Sequence, residues 1–224
     1  MKKILILCLM LSIVIILTAD TVALLSASKG KVELVRSKKS IAFTNGELLK
    51  NRDILRTGPE SFAAYKYIDA SALVKLFANS VVTIYGDKSG DKLSKRVNVK
   101  KGSVLSSIKS GSGAFTVQTP TTVASVKGTE FVTRVDENGN SMFIVTEGEV
   151  ELRVMSSDER ASVGKGKTAI INSDSELFLR ETSNEDLSRI EQIELESTQT
   201  REKTIIRIPV MDQAGNTKYI EISY

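Results

Sequence analysis

Polar and apolar residues alternate along most of this chain, in short runs broken by Gly, Asn, Asp or Ser. "TEFVTRV" (129–135) shows the pattern: Phe131, Thr133 and Val135 fall on one side, Glu130, Val132 and Arg134 on the other. A period of two belongs to a half-buried strand. The same reading predicts strands at 31–35, 61–68, 72–77, 80–85, 103–108, 114–118, 141–147 and 149–154. Hairpin-sized gaps separate them, and Asn138-Gly139 within "DENGN" (136–140) is a strong turn signal. No helical period of useful length appears before residue 182.

A looser recurrence overlies the alternation. Gly30, Gly46, Gly102, Gly148 and Gly166 each open a strand-like run, at irregular intervals. One turn-then-strand unit is being reused, without the fixed period of a strict solenoid. The expected fold is all-β: a rolled, solenoid-like structure of many short strands, with a small C-terminal helix plus β-hairpin. Residue 182 marks the change. "TSNEDLSRIEQIELESTQ" sets Leu187, Ile190 and Ile193 on one side, and Thr182-x-x-Glu185 resembles a capping box. "TIIRIPV" and "KYIEISY" around "MDQAGNT" then read as a terminal hairpin, with Pro209 placing its strand at an edge or bulge. This tail forms a small second lobe or completes the main sheet.

The N-terminus breaks the alternation. Lys2 and Lys3 precede a 14-residue apolar run, Ile4 to Leu17, which is short for a membrane span and suits a secretory signal. Ala19 or Ala23 is the candidate last residue removed; a retained anchor is the other outcome. The expected organisation is a leader at 1–19, a β domain at 20–181 and an appendage at 182–224. Cys8, the one cysteine, lies inside the apolar run rather than at its end, which argues against lipidation. A processed chain has no thiol chemistry. There is no His, the usual proton-transfer group and metal ligand. Loss of Lys2 and Lys3 lowers the formal charge from +4 to +2, so nucleic acid is not an expected partner.

Three stretches invite chemistry. "ASVGKGKT" (161–168) fits a loose phosphate-binding loop, but that loop joins a buried strand to a helix N-terminus. Here "SSDER" precedes and a β-branched run follows, so a hairpin is expected and no nucleotide. Asp136, Asn138 and Asn140 echo a calcium loop without its later acidic ligand. Glu147, Glu149 and Glu151 alternate onto one strand face with no partner group. No cofactor, metal or catalytic role is expected, and the chain reads as a non-enzyme.

The informative stretch is "FTVQTPTTVASVKGTEFVTRVDENGNSMFIVTEGEVEL" (115–152). It resembles the FecR domain family, whose pattern runs Val-x-Thr-Pro, a short β segment, Arg-Gly-Thr-x-Phe, a strand and turn, and Glu-Gly-x-Val. The matching residues are Val117, Thr119, Pro120, Val126, Gly128, Thr129, Phe131, Glu147, Gly148 and Val150, with Lys127 where the family usually has Arg. Weaker similarity extends over roughly 29–172. Read physically, Pro120 fixes a bend, Gly128 marks a bulge or close backbone approach, and Thr129 bonds backbone freed there. These are scaffold roles.

In the family, a cytoplasmic part binds a sigma factor, one helix crosses the inner membrane, and the periplasmic FecR region contacts a receptor. With Met1-Lys2-Lys3 alone before the apolar run, the resemblance implies the exported half: a periplasmic or envelope interaction or sensing module. The alternative is the periplasmic component of receptor-to-sigma-factor signalling. The implied partner is an envelope protein or an anionic cell-wall glycan, with membrane contact only through an uncleaved leader. The candidate contact is the basic stretch 86–101, with Lys88, Lys92, Lys95, Arg96, Lys100 and Lys101 against Asp87 and Asp91; a solvated loop and edge strand is the plainer reading.

Overall fold

The computed structural model describes residues 21–89, 92–111, 113–198, 205–211 and 217–223. The predicted leader, with Cys8, and the turn 212–216 lie outside them. Two sheets stack face to face, and the chain passes repeatedly from one to the other. Strand β1 (Thr21–Lys29) lies in sheet I, and the hairpin β2 (Val32–Arg36)–β3 (Lys39–Ile41) in sheet II. β4 (Leu48–Lys50) returns to sheet I and β5 (Ile54–Thr57) to sheet II. The hairpin β6 (Phe62–Tyr67)–β7 (Ala72–Leu76) belongs to sheet I and β8 (Val81–Ser89) to sheet II.

β9 (Lys92–Ile108) belongs to both sheets. Its first half pairs with β8 and, in parallel, with β10 (Phe115–Gln118) in sheet II. Its second half pairs with β7 and with β12 (Glu130–Val135) in sheet I. Hairpins then alternate. β10–β11 (Thr122–Val126) lies in sheet II, β12–β13 (Ser141–Glu147) in sheet I, β14 (Glu149–Val154)–β15 (Arg160–Gly164) in sheet II and β16 (Lys167–Ile171)–β17 (Leu177–Glu181) in sheet I. Each hairpin adds to the preceding one of its own sheet, β14 on β11 and β16 on β13. The result is the expected rolled all-β structure. α1 (Asn184–Thr198) follows, and β18 (Ile205–Met211) and β19 (Thr217–Ser223) form a separate two-stranded sheet.

The predicted strands are present. The structure also forms β1, β3 and β17, which were not expected, and β9 begins eleven residues before 103. The glycine recurrence has a geometric meaning. Every passage between sheets carries a residue at positive φ: Gly30, Gly46, Arg52, Glu60, Asn79, Gly102, Gly111, Gly128, Gly148 and Gly166. Gly102 (φ +96°) lets β9 cross without interruption, and a Cβ there would collide with Ser80. Ser80 bonds the crossing on both sides, accepting from Ser103 N (3.0 Å) and donating to Ser103 O (3.1 Å).

Between the sheets lies a core that is aliphatic for the most part, with Leu25, Leu34, Leu55, Val74, Ile84, Val97, Val117 and Ile171, and that also buries Tyr65, Tyr67, Phe115, Phe131 and Phe143. Phe131, Thr133 and Val135 all face it, as alternation required. The outer face of sheet I is apolar as well, with Phe62, Phe77, Leu105, Val132 and Ile144. α1 lies over this face. Asp186 pairs with Arg180 of β17 (2.6 Å), Ile190 packs on Val132 and Ile144, and Glu194 reaches Lys75 of β7 (3.4 Å). Registration places β17, β16, β13, β12, β9 and β7 side by side, so the helix crosses the strands. Leu187, expected on the packed side, is 43% exposed.

The helix cap lies one residue later than predicted. Ser183 Oγ accepts from Asp186 N (3.2 Å), and Ser183 N donates back to Asp186 Oδ2 (3.1 Å). Thr182 is engaged elsewhere, its hydroxyl against that of Thr168 (3.0 Å), and Glu185 pairs with Arg189. Arg180, followed by the Ser183 bonds, holds the Asp186 carboxyl below the usual aspartate range, against the opposing effect of burial. A depressed carboxyl stabilises above its unfolded pKa and loses that contribution as pH falls through the folded value. α1 should therefore loosen below about pH 4, seen as loss of helical circular dichroism. Asp186→Ala should do so at neutral pH, costing about 1 kcal/mol of cap stability and exposing the bond after Arg189 to faster tryptic cleavage.

Candidate functional site

The Thr-Pro part of the motif makes the β10–β11 turn. Thr119 N donates to Thr122 O (2.9 Å), and Thr119 Oγ1 accepts from Thr122 N (3.1 Å). Ser141 Oγ on β13 donates to Thr119 Oγ1 (2.8 Å) and lies 3.0 Å from Thr121 Oγ1. These hydroxyls are buried, where an unpaired one would cost about 1–3 kcal/mol; together they fasten a turn of sheet II to a strand of sheet I. Val117 and Phe131 are fully buried in the core.

The Gly-Thr part makes two corners back to back. At Gly128 (φ +66°) the chain leaves β11 for β12, and at Gly148 (φ +78°) it leaves β13 for β14. A Cβ on Gly148 would lie 2.6 Å from Gly128 O, and one on Gly128 would strike Ser110. Thr129 Oγ1 donates to Glu149 O (2.8 Å), tying one corner to the other. Lys127 sits at the corner's surface, exposed.

Outward from this scaffold, sheet II presents an open polar face. Cross-strand registration aligns Tyr85, Arg96, Thr116, Ser125, Glu151 and Ser162 in one row over β8, β9, β10, β11, β14 and β15. The Arg96 guanidinium stacks 4.1 Å from the Tyr85 ring centroid and reaches Gln118 Oε1 (3.5 Å). Two shallow depressions, of about 240 and 370 Å³, adjoin along the row and share Ser125 and Glu151. Lys127 and Glu149 line the first, Arg153 and Arg160 the second. The face offers donors, acceptors and both charges, and the Ser162 hydroxyl donates to the Glu149 carboxylate. Sequence reasoning missed it because no single motif spans it: the row exists only once six strands are in register.

The predicted basic stretch does not form one patch. Lys88 is exposed, Lys92 lies in β9 with its side chain outside the described residues, and Arg96 belongs to the row above. Lys100 is exposed, and Lys101 pairs with Glu137 (3.0 Å) in the β12–β13 loop. Lys95 is the correction. It follows the inward parity of Leu93, Val97 and Val99 and is buried, with Nζ 2.6 Å from Asp69 Oδ2 and 3.0 Å from Leu93 O. Burial alone would raise the Asp69 carboxyl; Lys95 and two bonds from Ser71 hold it below its ordinary value. Removing one member of such a pair typically costs about 3–5 kcal/mol, so Lys95 is structural.

The phosphate-loop look-alike is the β15–β16 turn. Lys165 N donates to Gly148 O (3.0 Å) and Gly166 N to Val145 O (2.9 Å), so amides that would cradle a phosphate are committed to carbonyls. In the 136–140 turn, Asp136 accepts from Asn138 N, Asn140 N and Asn140 Nδ2. Those bonds hold its carboxyl below the ordinary range, although burial opposes them. Among the described residues no group of acidic side chains is arranged to hold a metal. The three glutamates do not share a strand face as expected: the Gly148 corner puts Glu147 in sheet I and Glu149 and Glu151 in sheet II.

The family profile described as "FecR protein" matches residues 53–151. Two crystal structures of a putative anti-sigma factor from Parabacteroides distasonis ATCC 8503 share the fold. One, at 15% identity and TM-score 0.53, covers 62% of this chain, which spans 64% of that one's length. The other, at 16% identity and TM-score 0.53, covers 76% of this chain and 84% of its own. No curated protein matches the sequence. The paired corners give the motif its test. Gly128→Val must force a β-branched residue to positive φ against Ser110 and should destabilise by about 1–3 kcal/mol, lowering the denaturant midpoint. An unchanged midpoint would deny the corner its role.

Proposed function

We propose that this chain is an exported, non-enzymatic interaction or sensing module of the cell envelope, and that the open face of sheet II is its contact surface. One observation carries the choice of face: the outer side of sheet I is apolar and already covered by α1, whereas sheet II leaves its polar row uncovered. Arg stacked on Tyr, flanked by shallow depressions and satisfied hydroxyls, is composition common at the centre of protein interfaces. A protein partner is favoured over an anionic glycan because the row carries one charge of each sign, Arg96 and Glu151. The second reading, the periplasmic component of receptor-to-sigma-factor signalling, is supported by the FecR match and by the name of the structural neighbours.

The leader bears on export. Val22 and Ala23 are buried in β1, where Ala23 pairs with Leu49 and Tyr67 and Val22 O accepts from Ile68 N (3.0 Å). Cleavage after Ala23 would remove part of a core strand; cleavage after Ala19 would leave β1 whole. We therefore take Asp20 as the mature N-terminus. Affinity capture from the native envelope with the mature chain tests the function. Arg96→Glu with Glu151→Lys should reduce recovery of the captured partner at least tenfold while the melting temperature is unchanged. Undiminished capture by this variant would remove sheet II from the proposal.

A further inference from the structure

The two sheets together have four edges, and three are unsuited to adding a strand. β3 and β4 are three residues each, and β15 carries Arg160 at one end and Gly164 at the other. Short or charged edges resist pairing with foreign strands. β17 differs. Among the described residues it pairs only with β16, and its side chains are uncovered on both faces: Phe178 is 53% and Leu179 51% exposed. Leu179 shares the inward side of Ala169 and Phe178 the outward side of Ile170; Leu177 packs against the core and Arg180 is held by the helix, but the two residues between them are left uncovered.

β17 is also held rigid. Before it, Asn172 donates through Nδ2 to Glu176 Oε2 (2.7 Å), and Glu176 N donates to Asn172 Oδ1 (2.8 Å). After it, Thr182 N donates to Gly166 O (2.8 Å) and Arg180 is bound to Asp186. An extended strand fixed at both ends loses little entropy on gaining a neighbour.

The occupant is written in the strand. Residues 176–180 read Glu-Leu-Phe-Leu-Arg: a symmetric Leu-Phe-Leu flanked by Glu176, just before the strand, and by Arg180 within it. We propose that β17 pairs with β17 of a second copy of this chain, antiparallel about a twofold axis at Phe178. In that register Phe178 faces Phe178, Leu177 faces Leu179, and Glu176 faces Arg180 at both ends. Shifting the sum of paired numbers by one sets Glu176 against Glu181, and centring on Arg180 sets it against itself; like charges directly opposite are unfavourable. Isologous pairing closes the edge, since neither copy keeps a free β17. Five residues bury less than a standard interface, so the dimer is weak and concentration-dependent.

Sedimentation of the mature chain from Asp20, which has no cysteine, should show a monomer–dimer equilibrium, with Phe178→Lys raising the dimer Kd at least tenfold. Glu176→Arg, which sets Arg against Arg180, should weaken it as well. For Phe178→Lys the circular dichroism should not change, because that side chain is exposed in the monomer. Under oxidation, Phe178→Cys should cross-link into dimers and Leu179→Cys should not, since Leu179 faces Leu177. A monomer at all concentrations, a dimer indifferent to Phe178→Lys, or equal cross-linking at both positions would each overturn the proposal.

Discussion

The structure depends on one constraint: a chain that keeps changing sheets must turn sharply while its backbone stays in contact with neighbouring corners. An L-residue with a bulky side chain resists the left-handed region such corners use. Seven of the ten passages use glycine and one asparagine, with Arg52 and Glu60 held in the region as exceptions, and small serines cover the tightest ones, Ser80 over Gly102 and Ser110 over Gly128. The core follows from these corners, because they bring the inward faces of both sheets together at every step. Val, Ile, Leu and Ala fill most of the interior, with Tyr65, Tyr67, Phe115, Phe131 and Phe143 buried among them.

The corners also decide which surfaces remain available. Since β9 lies in both sheets, sheet I and sheet II cannot slide independently, and their outer faces are fixed relative to each other. Sheet I carries apolar residues on both sides, so α1 is drawn across its outer face and held at its ends by Arg180 and Lys75. Sheet II carries polar residues outward and stays bare. Strand parity is strict enough to pull a lysine inside. Lys95 occupies an inward position of β9, and Asp69, from the β6–β7 turn of the other sheet, neutralises it. A charge that resembled partner chemistry becomes a cross-sheet tie.

Alternation made the hairpins legible, because both strands and their turn are encoded locally; β13 and β14 begin and end where the pattern placed them. β1 was hidden because "TVALLSASK" follows closely on the apolar run 4–17, which blurs its periodicity. The first half of β9 was hidden because "KLSKRVNVKK" reads as charge before it reads as alternation. The glycine recurrence was visible as turns, but that each turn changes sheets is a long-range fact absent from any window. Thr119, Thr121 and Ser141 meet across twenty-odd residues of sequence and two sheets, and the polar row of sheet II depends on the register of six strands. Local signals specify elements; the site is made of their alignment.

The FecR match stops short of the physical unit that supports it. Asp53, its first residue, is buried, and the guanidinium that neutralises it belongs to Arg36, outside the match: Nε donates to Oδ1 (2.9 Å) and a terminal nitrogen to Oδ2 (2.7 Å). At the other end, β14 is matched only as far as Glu151, while β15 and β16 complete both sheets. Leu25, Leu34 and Leu49 before the match, and Val163, Ala169 and Ile171 after it, are all fully buried in the same core. The matched stretch thus contains the corners and the hydroxyl-fastened turn but not enough strands to cover them. Sequence similarity follows the residues with the narrowest choice, such as Gly at a corner or Thr in a buried bond. The flanking strands satisfy the same core with any aliphatic residue of the right parity, which is why they carry the fold while escaping the pattern.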